Sequence, residues 1–289
     1  MSALTITDMR TLPGDSAFLV DDGQTAILYD SGFAFTGEQL VRKLRRHLGS
    51  RKLDYIFLTH SHYDHALGSA YVSRAFPEAK VAASAYAAKI FQKPSARALM
   101  RELDRAFAQE NGVTEYEDLI DELHVDIPLE DGDAIEAGSL RFTAVSLPGH
   151  TLCSMGFYEE SRRLLLACET SGVYDGEGVI VPCFLKGYEM ALSSMRRMEG
   201  MAIDRLLLPH LGGVEGEEAA FYLQNMIAST EEAAHSMARI LQNGGSIEDA
   251  MDFFRKIYHR GRTRSTYPPA AIKLNSRIMA QVIQKELVE

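Results

Sequence analysis

The stretch Thr59–Gly68, THSHYDHALG, sets His60, His62, Asp64 and His65 within six residues. Neutral imidazole and carboxylate are ligands for zinc, manganese or iron(II), and their density here suits two ions better than one. The chain has nine histidines in 289 residues, so a solvated polar loop would collect three of them by accident only rarely. The loop follows the apolar run Leu53–Leu58, read as a short buried strand. The C-terminal end of such a strand is where α/β folds habitually place their chemistry.

The elements that must position this loop are legible in outline. Ala17–Val20 and Thr25–Asp30 flank the turn Asp21-Asp22-Gly23-Gln24, a hairpin pattern. Gly37–Leu48 carries Leu40, Val41, Leu44 and Leu48 at a helical period. A helix over Ser69–Phe76, a strand at Lys80–Ala83 and a long helical region from Ser84 to about Leu123, interrupted near Lys93-Pro94 and Asn111-Gly112, are expected next. Strands resume at Ala134–Glu136, Leu140–Leu147, Met155–Tyr158 and Arg163–Cys168. From about Glu215 the pattern turns all-helical. A helix over Glu217–Leu241 ends at Gly244-Gly245, a second opens at Ser246, and a third follows Pro268-Pro269.

Composition narrows the function. A formal net charge of −10 argues against a protein that neutralises nucleic-acid phosphates. The N-terminus lacks a charged segment followed by an apolar one, and no stretch approaches the roughly 18 to 20 apolar residues of a membrane span, so a soluble cytoplasmic protein is expected. Cys153, Cys168 and Cys183 have neither zinc-site nor disulfide spacing and read as small buried hydrophobes.

A His-x-His-x-Asp-His loop at a strand end resembles the first metal motif of the metallo-β-lactamase-fold hydrolases, and the rest of that pattern follows in order. Asp30, in Tyr29-Asp30-Ser31-Gly32, matches the early aspartate that supports the site from behind. His150, in Leu147-Pro148-Gly149-His150-Thr151, matches the third histidine. His210, in Leu207-Leu208-Pro209-His210-Leu211-Gly212-Gly213, matches the last. The likeness covers about residues 10–213.

The resemblance implies an α/β fold, an αββα sandwich over residues 1–214, followed by a C-terminal helical appendage over 215–289. Glyoxalase II and several bacterial thioesterases carry such a segment over the active site; dimerisation through it is the other role. It further implies His60, His62 and His150 on one divalent ion and Asp64, His65 and His210 on a second, zinc first among the metals, with iron or manganese acceptable. Between the ions the family usually sets an aspartate. Here the sequence departs: Leu164–Gly172 reads LLLACETSG, so the available carboxylate is Glu169, one methylene longer, with Asp175 as the competing candidate. Alkyl-sulfatase relatives use glutamate there, so the departure is compatible with two ions.

Such a site holds a water of lowered pKa ready to attack an electrophilic centre, with Asp64 placed to orient it or take its proton. The expected activity is therefore hydrolysis of a small-molecule thioester, ester or lactone. A mononuclear iron dioxygenase of the same fold shares the first ion's ligands, and a non-hydrolytic binding or regulatory member is the reading from a different class. Secreted β-lactamases, nucleases and flavodiiron oxygen reductases fit less well, for want of a leader, a basic surface and a flavin domain respectively. Phe33, Phe35, Tyr63, Tyr174, Phe184 and Tyr188 are candidate pocket walls, with core or surface packing as the equal alternative for each. Lys256, His259, Arg260, Arg262 and Arg264 form a basic cluster that either holds an anionic substrate tail or is a solvated helix end favoured by its dipole.

Overall fold

The computed structural model describes residues 3–289. The chain divides into two compact units: residues up to Ser146 together with Met155–Glu160, and Leu147–Ser154 together with Ser161–Glu289.

In the first unit, β1 (Thr5–Asp8), β2 (Phe18–Asp21), β3 (Ala26–Tyr29), β4 (Tyr55–Phe57), β5 (Lys80–Ser84) and β6 (Ile127–Leu129) lie side by side in chain order. The first three pair antiparallel, as the hairpin pattern predicts, and β3 to β6 run parallel. Parallel strands need crossovers, and helices supply them: α1 (Gly37–Leu48), α2 (Tyr63–Ala66), α3 (Ser69–Ala75), α4 (Ala85–Phe91) and α5 (Pro94–Glu110). Leu40, Leu44 and Leu48 are the buried face of α1, and Gly49, at φ 61°, ends it.

A second, antiparallel group, β7 (Ala134–Ala137), β8 (Leu140–Ser146) and β9 (Met155–Glu159), faces this sheet within the unit. Phe57 of β4 stacks on Phe157 with centroids 4.4 Å apart and meets Phe142 edge-on at 5.3 Å. The core lies between the two sheets because each presents its apolar face there.

The expected helical region to Leu123 is corrected in its last third. α5 stops at Glu110, because Gly112 adopts φ 75° and Val113 N–H turns back to Ala108 O, a left-handed cap after which residues 113–119 form neither helix nor strand.

The second unit holds β10 (Leu164–Leu166), β11 (Val173–Tyr174), β12 (Ile180–Val181), β13 (Arg205–Leu208) and β14 (Gly212–Glu215); β10 and β13 are parallel, and β14 returns antiparallel to β13. Its helices are α6 (Tyr188–Glu199), α7 (Glu217–Gln242), α8 (Ile247–Tyr258), α9 (Thr263–Thr266) and α10 (Pro269–Ile283). Ser246 and Asp249 close a capping box on α8. The sequence reading assigned no helix at 188–199, although Tyr188, Ala191, Leu192, Met195 and Met198 form its buried stripe. No helix among the described residues is long and apolar enough to cross a membrane.

Candidate metal centre

Each unit carries one set of candidate ligands. In the first, β3 and β4 run parallel with Tyr29 opposite Phe57, so the loops after them, Asp30–Gly32 and Leu58–His62, leave the sheet together. Asp30 is fully buried and bends the chain at φ 51°, a left-handed value that a non-glycine residue rarely holds. Its carboxylate repays the strain with hydrogen bonds. Oδ1 accepts from Thr59 N at 2.9 Å and Thr59 Oγ1 at 3.0 Å, while Oδ2 accepts from Ser16 Oγ at 2.9 Å and faces His65 Nδ1 at 2.7 Å.

This arrangement decides the tautomers. With Nδ1–H of His65 donated to Asp30, any metal must be met by Nε2. Thr59 Oγ1 also stands 2.9 Å from His60 Nδ1, so a chain from His60 Nδ1–H through the threonine hydroxyl to Asp30 orients that imidazole in the same sense. The His60 ring lies 4.6 Å from that of His62 and 4.1 Å from that of His65. Asp64 Oδ2 is 3.6 Å from His65 Nε2, and its side chain is 20% exposed, against none for His65.

Gly68, the last residue of the opening loop, locks the two loops to each other. A Cβ there would come within 1.9 Å of Ser31 O, while its N–H donates to Gly32 O at 3.0 Å. Ser31 returns the contact by donating N–H and Oγ–H to His65 O at 2.7 and 2.9 Å.

In the second unit, β10 and β13 run parallel with Leu166 opposite Leu207, so Glu169 and His210 follow neighbouring strand ends. Glu169, 3% exposed, places Oε2 2.8 Å from His150 Nε2 and Oε1 3.2 Å from His210 Nε2. His150 Nδ1 donates to Cys183 O at 3.1 Å, so its Nε2 is the nitrogen turned to the carboxylate. Burial opposes a charged ring at His150, yet Cys183 and Glu169 together hold it well above the ordinary histidine range. His210 has a left-handed φ of 63°, which turns its side chain back toward Glu169. The rival carboxylate, Asp175, uses Oδ1 to accept from Glu177 N at 2.7 Å and Val179 N at 2.9 Å, closing the turn between β11 and β12.

The donor sets fit divalent ions. Buried imidazoles whose Nδ1 atoms are already committed, each set containing a carboxylate, suit a borderline metal that binds through Nε2, and buried charge of this kind otherwise demands a partner. His60, His62, Asp64 and His65 on one unit, and His150, Glu169 and His210 on the other, are the residues that would hold such ions.

The aromatics expected as pocket walls are mostly interior. Phe33 and Phe35 join Phe107, Tyr116 and Tyr63 in one cluster, with the Phe33 ring 4.9 Å from Phe107 and 5.7 Å from Tyr63. Phe184 and Tyr188 are buried 5.6 Å apart, and Tyr174 is buried beside Tyr222. Of the two roles that the sequence leaves open for these residues, pocket wall and packing, these contacts are packing contacts; Tyr63 alone among them is only partly buried. In the basic cluster, Arg264 Nε donates to His259 O and His259 Nε2 to Tyr267 O, which stitches the turn between α8 and α9 together.

Several supporting residues escaped the sequence reading. Tyr267 OH lies 3.1 Å from Cys183 Sγ and accepts from Asn275 Nδ2 at 2.8 Å. Tyr222 OH donates into the turn after Glu169, where Ser171 Oγ lies 2.8 Å away. Asp104 accepts from Ala34 N at 2.9 Å and Tyr116 OH at 2.6 Å, anchoring the loop that follows Asp30. Burial, partly offset by the Tyr116 and backbone hydrogen bonds, pushes its carboxyl up to about 6. One signal was available: Asp104 occupies the buried stripe of α5 with Met100 and Ala108, where an apolar residue is the norm.

Comparison with known proteins identifies the family of this fold. The family model for the metallo-beta-lactamase superfamily matches residues 11–210. A metallo-beta-lactamase family protein from Thermus thermophilus superposes with a TM-score of 0.65 at 18% identity, covering 98% of this chain and 93% of that one. A beta-lactamase domain protein from Burkholderia ambifaria gives 0.61 at 16%, covering 98% and 85%. An archaeal superfamily protein from Sulfolobus tokodaii gives 0.58 at 19%, covering 81% and 86%. These identities speak for the shared fold alone, whereas the family model spans well over half of the sequence, and the chain belongs to the metallo-beta-lactamase superfamily.

Proposed function

We propose that this protein is a metal-dependent hydrolase of a small-molecule thioester, ester or lactone that works through two divalent ions. His60, His62 and His150 would hold one ion and Asp64, His65 and His210 the other, with Glu169 between them. The observation that carries the reading is the placement of Glu169, whose two oxygens face His150 and His210 separately. Divalent ions bound there would supply Lewis acidity and a water of lowered pKa.

The protein's own residues would do the rest. Asp64 is the partly exposed carboxylate of the set, so it can take a proton from the incoming nucleophile or orient it. Asp30 and Thr59 keep His60 and His65 in the ligating tautomer throughout. Cys183 O does the same for His150. Zinc is the proposed metal, with iron or manganese meeting the same donor chemistry.

Elemental analysis of protein purified with adequate metal supply should give close to two ions per chain. A panel of thioesters, lactones, aryl esters, phosphodiesters and sulfate esters should show turnover in the carbonyl classes that His62→Ala abolishes. No bound metal sinks the proposal. A single iron with oxygen consumption on a persulfide substrate favours the dioxygenase reading, and metal without turnover across the panel favours a binding protein.

A further inference from the structure

Gln39, Arg42, Lys43 and Arg46 recur along α1 at intervals of three and four residues, so they form one stripe, beside the buried stripe of Leu40, Leu44 and Leu48. With Arg10 and Thr11 from the loop after β1, the stripe borders an open surface groove of about 300 Å³. Four of its six lining residues are cations, in a protein whose net charge is −10.

Their charges are only partly balanced. Arg10 pairs with Asp8 at 2.6 Å and Arg42 with Glu38 at 3.4 Å. Lys43 Nζ donates to the backbone carbonyl of Arg10 and shares the Asp8 carboxylate with Arg10 electrostatically. Arg46 has no ion-pair partner among the described residues. Four cations therefore share two carboxylates, Asp8 and Glu38, and the groove carries an excess of positive charge.

The helix dipole explains only part of this. Arg46 lies in the last turn of α1, where a cation is favoured, but Arg42 and Lys43 begin a turn earlier. Like charges three and four residues apart on a helix destabilise it, so the stripe works against folding unless an anion offsets it. Guanidinium groups present planar forks matched to tetrahedral oxyanions, and the Gln39 amide adds an uncharged donor.

We infer that the groove between α1 and the Arg10–Thr11 loop binds a small phosphate-bearing polyanion, through Arg42, Lys43, Arg46 and Gln39. The negative net charge disfavours a nucleic acid as the occupant. This site involves none of the candidate metal ligands, so it stands or falls apart from the hydrolase reading.

The test is calorimetric titration of the purified, metal-loaded protein with inorganic pyrophosphate at fixed ionic strength. Binding is expected with a dissociation constant below about 100 µM, as several charge-assisted contacts imply. Arg46→Glu should weaken it at least tenfold, by order of magnitude, while Arg46→Lys retains most of it. His62→Ala controls for pyrophosphate captured by metal. A heat that disappears in His62→Ala but survives Arg46→Glu overturns the inference, as does no binding at all. A flotation arm with phosphatidylserine-containing vesicles separates free anion from headgroup. Wild-type protein that floats with those vesicles, Arg46→Glu that does not, and no response of either to pyrophosphate would also overturn it, in favour of a membrane contact.

Discussion

Glu169 stands 2.8 Å from His150 Nε2 through one oxygen and 3.2 Å from His210 Nε2 through the other, so a single carboxylate spans two imidazoles from different loops. Glu169 opens the turn Glu169–Ser171, separated from the end of β10 by Ala167 and Cys168. Replacing Glu169 by Gln keeps the size and removes the charge. Metal content should fall from near two ions per chain to one or fewer, and turnover by about 10²-fold or more, on the scale of losing a ligating or electrostatic group at a metal site. Elemental analysis and initial rates on the same preparation check both.

Asp30→Asn replaces one acceptor oxygen with a donor at a site ringed by donors. Where the amide nitrogen faces His65, the ring must shift its proton to Nε2, the nitrogen proposed to ligate. Nitrogen-15 spectra of the imidazoles should report the changed tautomer, and unfolding stability should drop by about 2–4 kcal/mol, since a buried network loses at least one bond and leaves a donor unsatisfied.

Asp104 makes the stability pH-dependent. Its carboxyl lies near 3.8 when unfolded and about 6 when folded, so between these values the folded state binds more protons. Its contribution is fully present below the lower value and is lost as pH rises through about 6. Asp104→Asn removes the dependence, so the variant should gain on wild type by about 2–3 kcal/mol between pH 4 and pH 7. Urea unfolding at a series of pH values tests it; parallel curves for the two proteins would refute the assignment.

Gly68→Ala is expected to cost about 3 kcal/mol or more, because the Cβ would overlap Ser31 O, and backbone cannot yield as a side chain does. Separation of the two loops should also weaken metal binding. A matched substitution at Gly49, where a Cβ meets open space although φ is 61°, should cost less and leave metal content unchanged.

Tyr267→Phe keeps the ring and removes the hydroxyl that joins Cys183 to Asn275. Because Cys183 O orients His150, metal affinity measured against a chromogenic chelator should fall about threefold to tenfold, while global stability changes by only about 1 kcal/mol. A stability loss with unchanged affinity would mean that the tyrosine merely packs.

The metal motif was legible because its residues are chemically rare and lie at strand ends that apolar runs announce: His60, His62, Asp64 and His65 after β4, Glu169 after β10, His210 after β13. The elements were legible for a related reason, since α1, the β2–β3 hairpin and the capping box at Ser246 rest on local periodicity and turn chemistry. Sequence could not say that Asp175 closes a turn while Glu169 faces two histidines, or that Asp104 anchors the Asp30 loop, and it left open whether Phe33 and Phe184 pack or line a pocket. Those facts depend on which side chains meet across distant segments, and periodicity carries no information about such partners. Residue type and local order determine what a side chain can bind; the tertiary structure decided which of those capacities each one uses.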